Sequence, residues 1–338
     1  MNCLFTMHQL LAPVNAADQP ILDRARRIYK QEFSREISSI ALRELNSRLG
    51  IDIATAVLYV HFESMLLKRS AGSIPDAADR RPLMVAIAPG AFYKEHPEVG
   101  GDGRELIELS QKHLWDCQRI PSESLGTLMA NAKIINTFLT HATQSHRVIL
   151  VSLSKGTTDA RTAQTLRPDL FESLTAWISV SGVASGTMMA DWLLDKWYLR
   201  LVLSFMLWRH GTDHQAVVNM RYCRQQSFET AFVEPTAPMI HIAGFPLQRH
   251  LSCRRARLWH RRFRRQGPND SVVMLEDLLQ LQGTVIPVWG ADHYLRGNWN
   301  VAESMMQLIA FLNGDGNLIH HEDNICSSRE SLPVTTRV

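Results

Sequence analysis

The sequence predicts an α/β protein with a mainly parallel sheet and helices on both faces. Six short apolar runs alternate with amphipathic stretches of helical length from residue 83 onward, and this alternation is typical of βαβ crossovers. The composition is globular, because 45% of the 338 residues are hydrophobic and 20% are charged. A fibrous, collagen-like or disordered chain is therefore excluded, and one large or two medium domains are expected.

The predicted elements follow one another in a regular order. Each predicted strand is a short apolar run, and each predicted helix repeats apolar residues every three or four positions. The strands cover residues 83–88, 117–120, 148–153, 174–180, 239–243 and 285–288. The helices cover residues 104–114, 128–141, 157–166, 272–281 and 301–312.

Other regions surround or interrupt this alternation. Residues 1–80 are predicted as an N-terminal helical extension, helical over 18–69 and followed by a small, polar, proline-containing linker. Residues 81–313 form the main domain, and residues 314–338 are polar and aperiodic, which predicts a flexible tail. Two stretches of the main domain lack strands and are predicted as helical insertions, at 186–235 and 246–267.

The turn after the third strand carries a candidate nucleophile. The strand at 148–153 leads into the sequence S-L-S-K-G, with Ser154 at its centre, and a helix follows. Such a turn lifts one side chain above the sheet, and small residues on either side, here Ser152 and Gly156, let strand and helix approach closely. The usual pattern is Gly-x-Ser-x-Gly, from which Ser152 departs. A serine-rich strand–helix turn without a catalytic role is the alternative.

A histidine and an acid follow at positions that suit this serine. His293 lies in the loop after the strand at 285–288, from which it can fold over the carboxyl edge of the sheet as a general base. Asp270 lies between the serine and the histidine in the chain and would orient the imidazole, unless it only caps the helix predicted at 272–281. Three other acids are candidates for the same role: Glu276, Asp277 and Asp292.

The order Ser154, Asp270, His293 is the order of nucleophile, acid and base in the α/β-hydrolase fold. From about residue 83 to residue 312, the chain resembles α/β-hydrolase-fold proteins of the serine esterase and lipase type. The resemblance implies two-step acyl transfer from a small ester or acyl substrate, with no metal and no organic cofactor. It identifies no subfamily and does not extend to the N-terminal helical extension.

The same resemblance implies an oxyanion hole. Its donors would be the backbone N–H of Lys155, which follows the candidate nucleophile, and that of Ala91 or Phe92 in the loop after the first clear strand. Gly90 permits an unusual backbone turn in that loop. A simple strand–helix turn without this role is the alternative.

The two insertions suggest further roles. The resemblance implies that residues 186–235 form a cap over the active site, whose Trp and Met side chains either contact an apolar acyl or alkyl group or pack only within the protein. The second insertion holds eight arginines between Arg249 and Arg265. We interpret them as a solvated helix face. Weak contact with an anionic membrane, or with a substrate carboxylate or phosphate, is the alternative.

The net charge and the cysteine content limit which binding partners and which cellular location are expected. The net charge is only +3 and no nucleic-acid motif accompanies the arginines, so no nucleic-acid partner is expected. Five cysteines without metal-site spacing favour free thiols in a reducing cytosol. The segment Met1 to Ala17 lacks a signal-peptide pattern, and the most apolar stretch, 188–208, carries four charges. These features predict a cytoplasmic location and leave the oligomeric state open.

The sequence thus predicts a serine hydrolase that cleaves a carboxylic ester through Ser154, His293 and Asp270. A thioesterase, an amidase or an acyltransferase would use the same three residues. A hydrolase-like protein that only binds its ligand is the non-enzymatic alternative. Ser152 in the turn, and the long interval between the fifth strand and Asp270, favour that alternative.

Overall fold

A parallel six-stranded sheet forms the centre of the computed structural model. The model describes residues 10–33, 37–68, 79–113, 115–209, 213–222, 237–296 and 300–314. The strands are β1 (Leu83–Ala88), β2 (Asp116–Arg119), β3 (Arg147–Leu153), β4 (Ala176–Val180), β5 (Met239–Phe245) and β6 (Thr284–Trp289). They pair in the order β2-β1-β3-β4-β5-β6, and every pair is parallel. All six predicted strands are confirmed.

Helices connect the strands along the described chain. The first six are α1 (Gln19–Glu32), α2 (Ser39–Leu49), α3 (Ile51–Lys68), α4 (Arg104–Lys112), α5 (Leu128–Ser145) and α6 (Lys155–Leu166). The others are α7 (Pro168–Glu172), α8 (Met188–Asp195), α9 (Trp197–Arg209), α10 (Gln215–Val218), α11 (Arg254–Phe263) and α12 (Val301–Asn313). The helices predicted at 104–114, 128–141, 157–166 and 301–312 are confirmed, although residue 114 lies outside the described part.

Helices cover both faces of the sheet, as predicted. Successive side chains of a strand point to opposite faces. Helices α4 and α12 pack on the face to which Val85, Ile149 and Ile286 point. Helices α5 and α6 pack on the other face, over Met84 and Leu150. Burial on both faces explains why the strands other than the edge strand β2 appear in the sequence as continuous apolar runs.

The N-terminal helices cover one end of the second face, over β5 and β6. Helix α3 is buried along most of its length. The ring of Tyr59 on this helix packs edge-on against Phe245 and Trp289, with centroids 5.9 and 4.9 Å away. The predicted extension is therefore a helical layer on the sheet. The predicted linker falls mostly outside the described residues, as does the predicted tail after Gly314.

A buried carboxylate connects this layer to the loop after β5. Asp18 is 4% exposed, and its Oδ2 accepts a hydrogen bond from Nε1 of Trp289 at 2.9 Å. Arg249 donates to Oδ1 of Asp18, and Nε2 of His250 lies 3.2 Å from the same oxygen. Burial disfavours the ionised form, but the hydrogen bonds from Arg249 and Trp289 outweigh it and lower the pKa of Asp18.

The prediction of a helix at 272–281 is wrong. Only a short 3₁₀ segment forms there, at Leu275–Gln280. The amides of Val272 and Val273 donate to Oδ1 of Asp270, at 2.9 and 2.8 Å, as they would at the start of a helix. The amide of Leu275, however, donates to the carbonyl of Pro268 at 2.9 Å, and the carbonyl of Val273 accepts from the amide of Asp270 at 3.2 Å. Because the loop uses these two backbone groups, they are not available for helical i to i−4 hydrogen bonds.

Both predicted insertions are helical where the structure describes them. Residues 186–222 hold α8, α9 and α10, and residues 246–267 hold α11. Residues 210–212 and 223–235 of the first insertion lie outside the described part. The hydroxyl groups of Thr187 and Tyr222 donate hydrogen bonds to the segment between α11 and β6. The first insertion is therefore held beside that segment.

Candidate active site

The turn after β3 places Ser154 at the carboxyl edge of the sheet. Its φ and ψ are 48° and −115°, an unfavourable combination for a residue with a side chain. The amide of Ser154 donates to the carbonyl of Val180 on β4 at 3.0 Å. Lys155 begins α6 directly afterwards, and a Cβ on Gly156 would clash with the end of β1. This is the backbone geometry of a nucleophile elbow.

His293 lies within hydrogen-bond distance of this serine. Its Nε2 is 2.9 Å from Oγ of Ser154, and its Nδ1 is 2.8 Å from Oδ2 of Asp270. The imidazole is 7% exposed, and Asp270 is fully buried. An ionised carboxylate can only accept, so it favours the proton on Nδ1 and leaves Nε2 to accept from the serine hydroxyl. The structure brings together the three residues singled out from the sequence.

Backbone groups hold Asp270 in this orientation. Its Oδ1 accepts from the amides of Val272 and Val273, which leaves Oδ2 for the imidazole. The amide of His293 donates to the carbonyl of Asp270 at 3.0 Å. The acid loop and the histidine loop are therefore joined by one hydrogen bond between side chains and one between main chains.

The three alternative acids have partners elsewhere. Glu276 is 2% exposed and binds the guanidinium of Arg43 on α2, with an N–O distance of 2.9 Å. Asp277 accepts a hydrogen bond at 2.6 Å from a tyrosine hydroxyl of the first insertion. Asp292 accepts one, also at 2.6 Å, from a serine hydroxyl in the loop after β5. Asp270 is the acid that contacts the imidazole.

The three residues predicted to form the oxyanion hole, Lys155, Ala91 and Phe92, lie in different surroundings. Lys155 is the first residue of α6, where the first N–H groups have no partner within the helix. Ala91 lines the cavity that opens at Ser154. The side chain of Phe92 is 45% exposed and packs against His96, so it points away from the interior.

A buried ion pair next to the elbow was missed from the sequence. The side chain of Lys155 turns inward, and its Nζ lies 2.8 Å from both carboxylate oxygens of Asp159. Both residues are at most 3% exposed, and Asn131 on α5 donates to the same carboxylate at 2.9 Å. Burial raises the pKa of Asp159, and Lys155 opposes that rise. The i, i+4 spacing of opposite charges is the signal that identifies such a pair.

A cavity of about 900 Å³ opens beside Ser154 and His293. One wall is the glycine-rich loop after β1 together with the start of α4, and another is the loop after β6 with the start of α12. Two arginines, Arg104 and Arg296, contribute to these walls. The apolar side chains of the cavity include Leu106, Leu153, Val180, Leu295, Val301 and Met305.

The predicted cap at 186–235 is described only over residues 186–209 and 213–222. None of these described residues lines the cavity. Trp192 packs instead against Trp259 of α11, with ring centroids 5.2 Å apart. None of the eight arginines between Arg249 and Arg265 lines the cavity either. Its apolar surface therefore comes from α4, α12, the loops beside them and the carboxyl ends of β3 and β4.

Within the described ranges, no group of three or more His, Cys, Asp or Glu side chains is placed to hold a metal ion. None of the described helices combines the length and the apolar content needed to cross a bilayer. Cys117 and Cys253 are free thiols, and burial raises the pKa of Cys117 to about 11. The other three cysteines lie outside the described residues.

Solved structures resemble this chain, although no protein-family model and no curated protein matches its sequence. The metagenomic carboxyl esterase MGS0156 has a TM-score of 0.55 at 15% identity, over 91% of this chain and 97% of its own. The lipase BlEst2 from Bacillus licheniformis, in its propeptide form, has a TM-score of 0.50 at 18% identity, over 70% of this chain and 51% of its own. Its mature form has a TM-score of 0.48 at 17% identity, over 69% and 90%.

These similarities define the fold. The chain has the α/β-hydrolase fold, as its sequence predicts, and the similar structures include carboxyl esterases and lipases. Because the similarity to MGS0156 covers 91% of this chain, it reaches beyond the main domain at 81–313. It therefore extends into the N-terminal helices, for which the sequence shows no resemblance. The identities are too low to define a subfamily.

Proposed function

We propose that this protein is a serine hydrolase that cleaves carboxylic esters. Ser154 is the nucleophile, His293 the general base and Asp270 the acid that orients it. The observation that carries the proposal is the series of hydrogen bonds from Oγ of Ser154 through the imidazole to Oδ2 of Asp270, at 2.9 and 2.8 Å, beside a large cavity. The similar structures, a carboxyl esterase and a lipase by their descriptions, support ester chemistry.

In the first half of the reaction, Oγ of Ser154 attacks the carbonyl carbon of the ester. Nε2 of His293 takes the hydroxyl proton as the C–O bond forms. Asp270 keeps the imidazole in the required tautomer and stabilises its positive charge. When the tetrahedral intermediate collapses, the C–O bond to the alcohol breaks and the imidazolium gives its proton to the leaving oxygen. The products are a free alcohol and an acyl ester of Ser154.

In the second half, water replaces the alcohol. His293 removes a proton from the water as its oxygen attacks the acyl carbon. Collapse of the second tetrahedral intermediate breaks the bond to Oγ of Ser154, which regains a proton from the imidazolium. The carboxylic acid leaves, and the enzyme returns to its starting state. This scheme places no demand on a metal or an organic cofactor.

Backbone amides stabilise the negative oxygen in both intermediates. We assign the first donor to the N–H of Lys155, at the positive end of α6. The second is the N–H of Ala91, which lines the cavity, or of Phe92, which follows it. One such donor typically contributes about 3 kcal/mol to transition-state binding. The ion pair of Lys155 with Asp159 anchors the first turn of α6 and so fixes the first donor.

The cavity favours a small ester with an apolar acyl or alkyl group. Its volume of about 900 Å³ lies toward the upper end of the range typical of small-molecule sites. Leu106 and Met305 supply apolar surface, and the walls carry charges of both signs, from Arg104 and Arg296 and from three acidic residues, Glu98, Asp102 and Glu105. The same triad acts on thioesters, amides or acyl acceptors in other proteins of this fold, so these substrates belong in the same assay panel.

Active-site labelling and ester hydrolysis test the proposal. A fluorophosphonate probe should modify Ser154, and peptide mass spectrometry would locate the adduct. Ser154→Ala should abolish labelling and lower the hydrolysis of p-nitrophenyl butyrate by at least about 10⁴-fold. Asp270→Asn should lower kcat by about 10⁴-fold, because the imidazole would then be held in the wrong tautomer.

The matched control is Ser145→Ala, the same change at an exposed serine at the end of α5, which should keep full activity. An adduct on another residue, or hydrolysis that survives in Ser154→Ala, would reject the nucleophile. A well-folded parent protein with no labelling and no activity on esters, thioesters or amides would favour the binding protein instead.

A further inference from the structure

Helix α9 exposes an unusual amount of apolar surface. Surface helices normally turn their polar side outward, yet most of the outward-facing residues of α9 are apolar. Only one residue of this helix, Leu207, is buried. Monomeric proteins rarely leave a contiguous apolar patch of this kind uncovered. The seven exposed apolar residues are Trp197 (72% exposed), Tyr198 (49%), Leu201 (62%), Val202 (57%), Phe205 (61%), Met206 (52%) and Trp208 (75%).

These side chains form one face of the helix. At 100° per residue, Leu201, Phe205 and Trp208 lie along one stripe, and Tyr198 and Val202 adjoin it. Leu207 lies on the opposite side, which packs on the protein. Trp and Tyr side chains are favoured where apolar and aqueous phases meet. The outward face of α9 therefore has the composition of an interfacial helix.

Helix α11, with the turn that follows it, carries the complementary charge. No acidic residue occurs between positions 247 and 269, and Leu258 is 57% exposed among the arginines. Arg249 pairs with Asp18, but within the described residues none of the other seven arginines of this segment forms an ion pair with a carboxylate. The seven arginines, all exposed, are Arg254, Arg255, Arg257, Arg261, Arg262, Arg264 and Arg265.

Direct contacts connect the two surfaces. Trp192 of α8 packs edge-on against Trp259 of α11, with ring centroids 5.2 Å apart. The guanidinium of Arg262 lies over the ring of Trp192 at 4.1 Å. A single residue, Lys196, separates α8 from α9, and the two helices pack against each other. The apolar face and the arginine cluster therefore lie on neighbouring elements of the same part of the surface.

We propose that α9 and α11 together form a docking surface for an anionic lipid membrane. Apolar side chains of α9 insert among the acyl chains near the headgroups, and the arginines of α11 bind the phosphates. A nucleic acid would account for the arginines but not for a helix face of Leu, Val, Phe and Met side chains. A second copy of this chain would account for the apolar face, but it would bring seven exposed arginines next to seven others.

Binding to vesicles tests this surface without reference to catalysis. The full-length protein is titrated with vesicles of phosphatidylcholine that contain about 30% phosphatidylglycerol, an anionic fraction that attracts basic clusters. Leu201→Gln/Phe205→Gln should weaken the partition coefficient by at least about 50-fold. Arg257→Gln/Arg261→Gln should weaken it by about 30-fold, at about fivefold per arginine. Added salt should weaken it too.

Two variants serve as matched controls. Ile40→Gln/Met65→Gln removes two exposed apolar side chains from the N-terminal helices, and Arg24→Gln/Arg27→Gln removes two exposed arginines from α1. Both should bind vesicles like the parent protein. Circular dichroism and the Tm establish that each variant is folded.

Loss of binding in both test variants, with binding kept in both controls, supports the proposal. It is overturned if the parent protein does not bind the anionic vesicles, or if only one of the two test variants loses binding. It is also overturned if the Leu201/Phe205 variant changes only the oligomeric state, or if duplex DNA competes with vesicles at the arginines while the α9 variant binds normally.

Discussion

A buried histidine on β5 should make the stability of the fold depend on pH. His241 is 3% exposed, and its Nε2 donates to the carbonyl of Gln282 at 2.8 Å. Burial lowers the pKa of His241 from 6.5 to about 4, and the nearby charge of Arg161 adds to this effect. The folded protein therefore keeps this imidazole neutral at pH values where the unfolded chain protonates it.

The size of the effect follows from the two pKa values. Protonation of His241 favours the unfolded chain, so its contribution to stability is complete above about pH 7 and is lost as the pH falls from 6.5 toward 4. With these pKa values, the loss is about 2 kcal/mol at pH 5 and about 3 kcal/mol at pH 4. Other buried histidines add their own losses, so the parent protein alone does not isolate this one.

The substitution His241→Gln isolates it, because the Gln amide can donate to the same carbonyl but does not titrate. Urea unfolding followed by far-UV circular dichroism gives the free energy of unfolding at several pH values. Between about pH 7.5 and 5, we expect the parent to lose about 2 kcal/mol more than His241→Gln. The control is His141→Gln on the exposed side of α5, which should follow the parent. If the curves of parent and His241→Gln run parallel, the histidine does not stay neutral in the folded state.

Three further predictions concern the elbow and the N-terminal layer. Gly156→Ala forces a Cβ against the carbonyl of Ala88, so kcat/KM should fall by at least about 100-fold and thermal unfolding should show a loss of about 1–3 kcal/mol. Lys155→Met leaves Asp159 buried without its cation and should cost about 3–5 kcal/mol in urea unfolding, whereas Lys155→Met/Asp159→Leu should recover most of that loss. Asp18→Asn removes charge-assisted hydrogen bonds and should cost about 2 kcal/mol in the same assay, with kcat changed little.

Five of the six strands were predictable because they are buried on both faces, whereas the edge strand β2 is only partly buried. A parallel strand between two helical layers needs apolar residues at every position, so runs such as 83–88 and 148–153 stand out from the amphipathic helices between them. The segment 272–281 has a helical spacing of apolar residues, but the amide of Leu275 and the carbonyl of Val273 form hydrogen bonds with the acid loop in place of helical ones. The spacing of apolar residues gives no sign of these bonds.

Two residues of the candidate site, the serine and the histidine, were predictable because a local sequence pattern defines the position of each. Ser154 is set by a strand–turn–helix motif, and the histidine follows the last strand, so sequence position alone places both at one edge of the sheet. The hydrogen bonds of Asp18 join residues 231 to 271 positions apart in the chain, and no local pattern indicates them. The cavity walls were missed for the same reason, since α4 and α12 meet there only through the fold.

The serine at the first glycine position of the elbow is explained by its contacts. Ser152 is fully buried, and its Oγ accepts a hydrogen bond from Nε1 of Trp177 on β4 at 2.8 Å. The same oxygen lies 2.9 Å from Oγ1 of Thr157 on α6. The hydroxyl therefore joins the elbow, the neighbouring strand and the following helix, and glycine in its place would leave the buried indole N–H without this acceptor.

Restoring the usual motif should therefore destabilise the protein. We expect Ser152→Gly to lower the free energy of unfolding by about 2–4 kcal/mol, from the orphaned indole donor and the added freedom of the unfolded backbone. Ser152→Ala removes only the hydroxyl and should cost about 1–3 kcal/mol. Because Ser152 does not line the cavity, kcat/KM of the folded fraction should change only a few-fold. A Ser152→Gly variant as stable as the parent would mean that the hydroxyl has no structural role, and that the glycine pattern is compatible with this elbow after all.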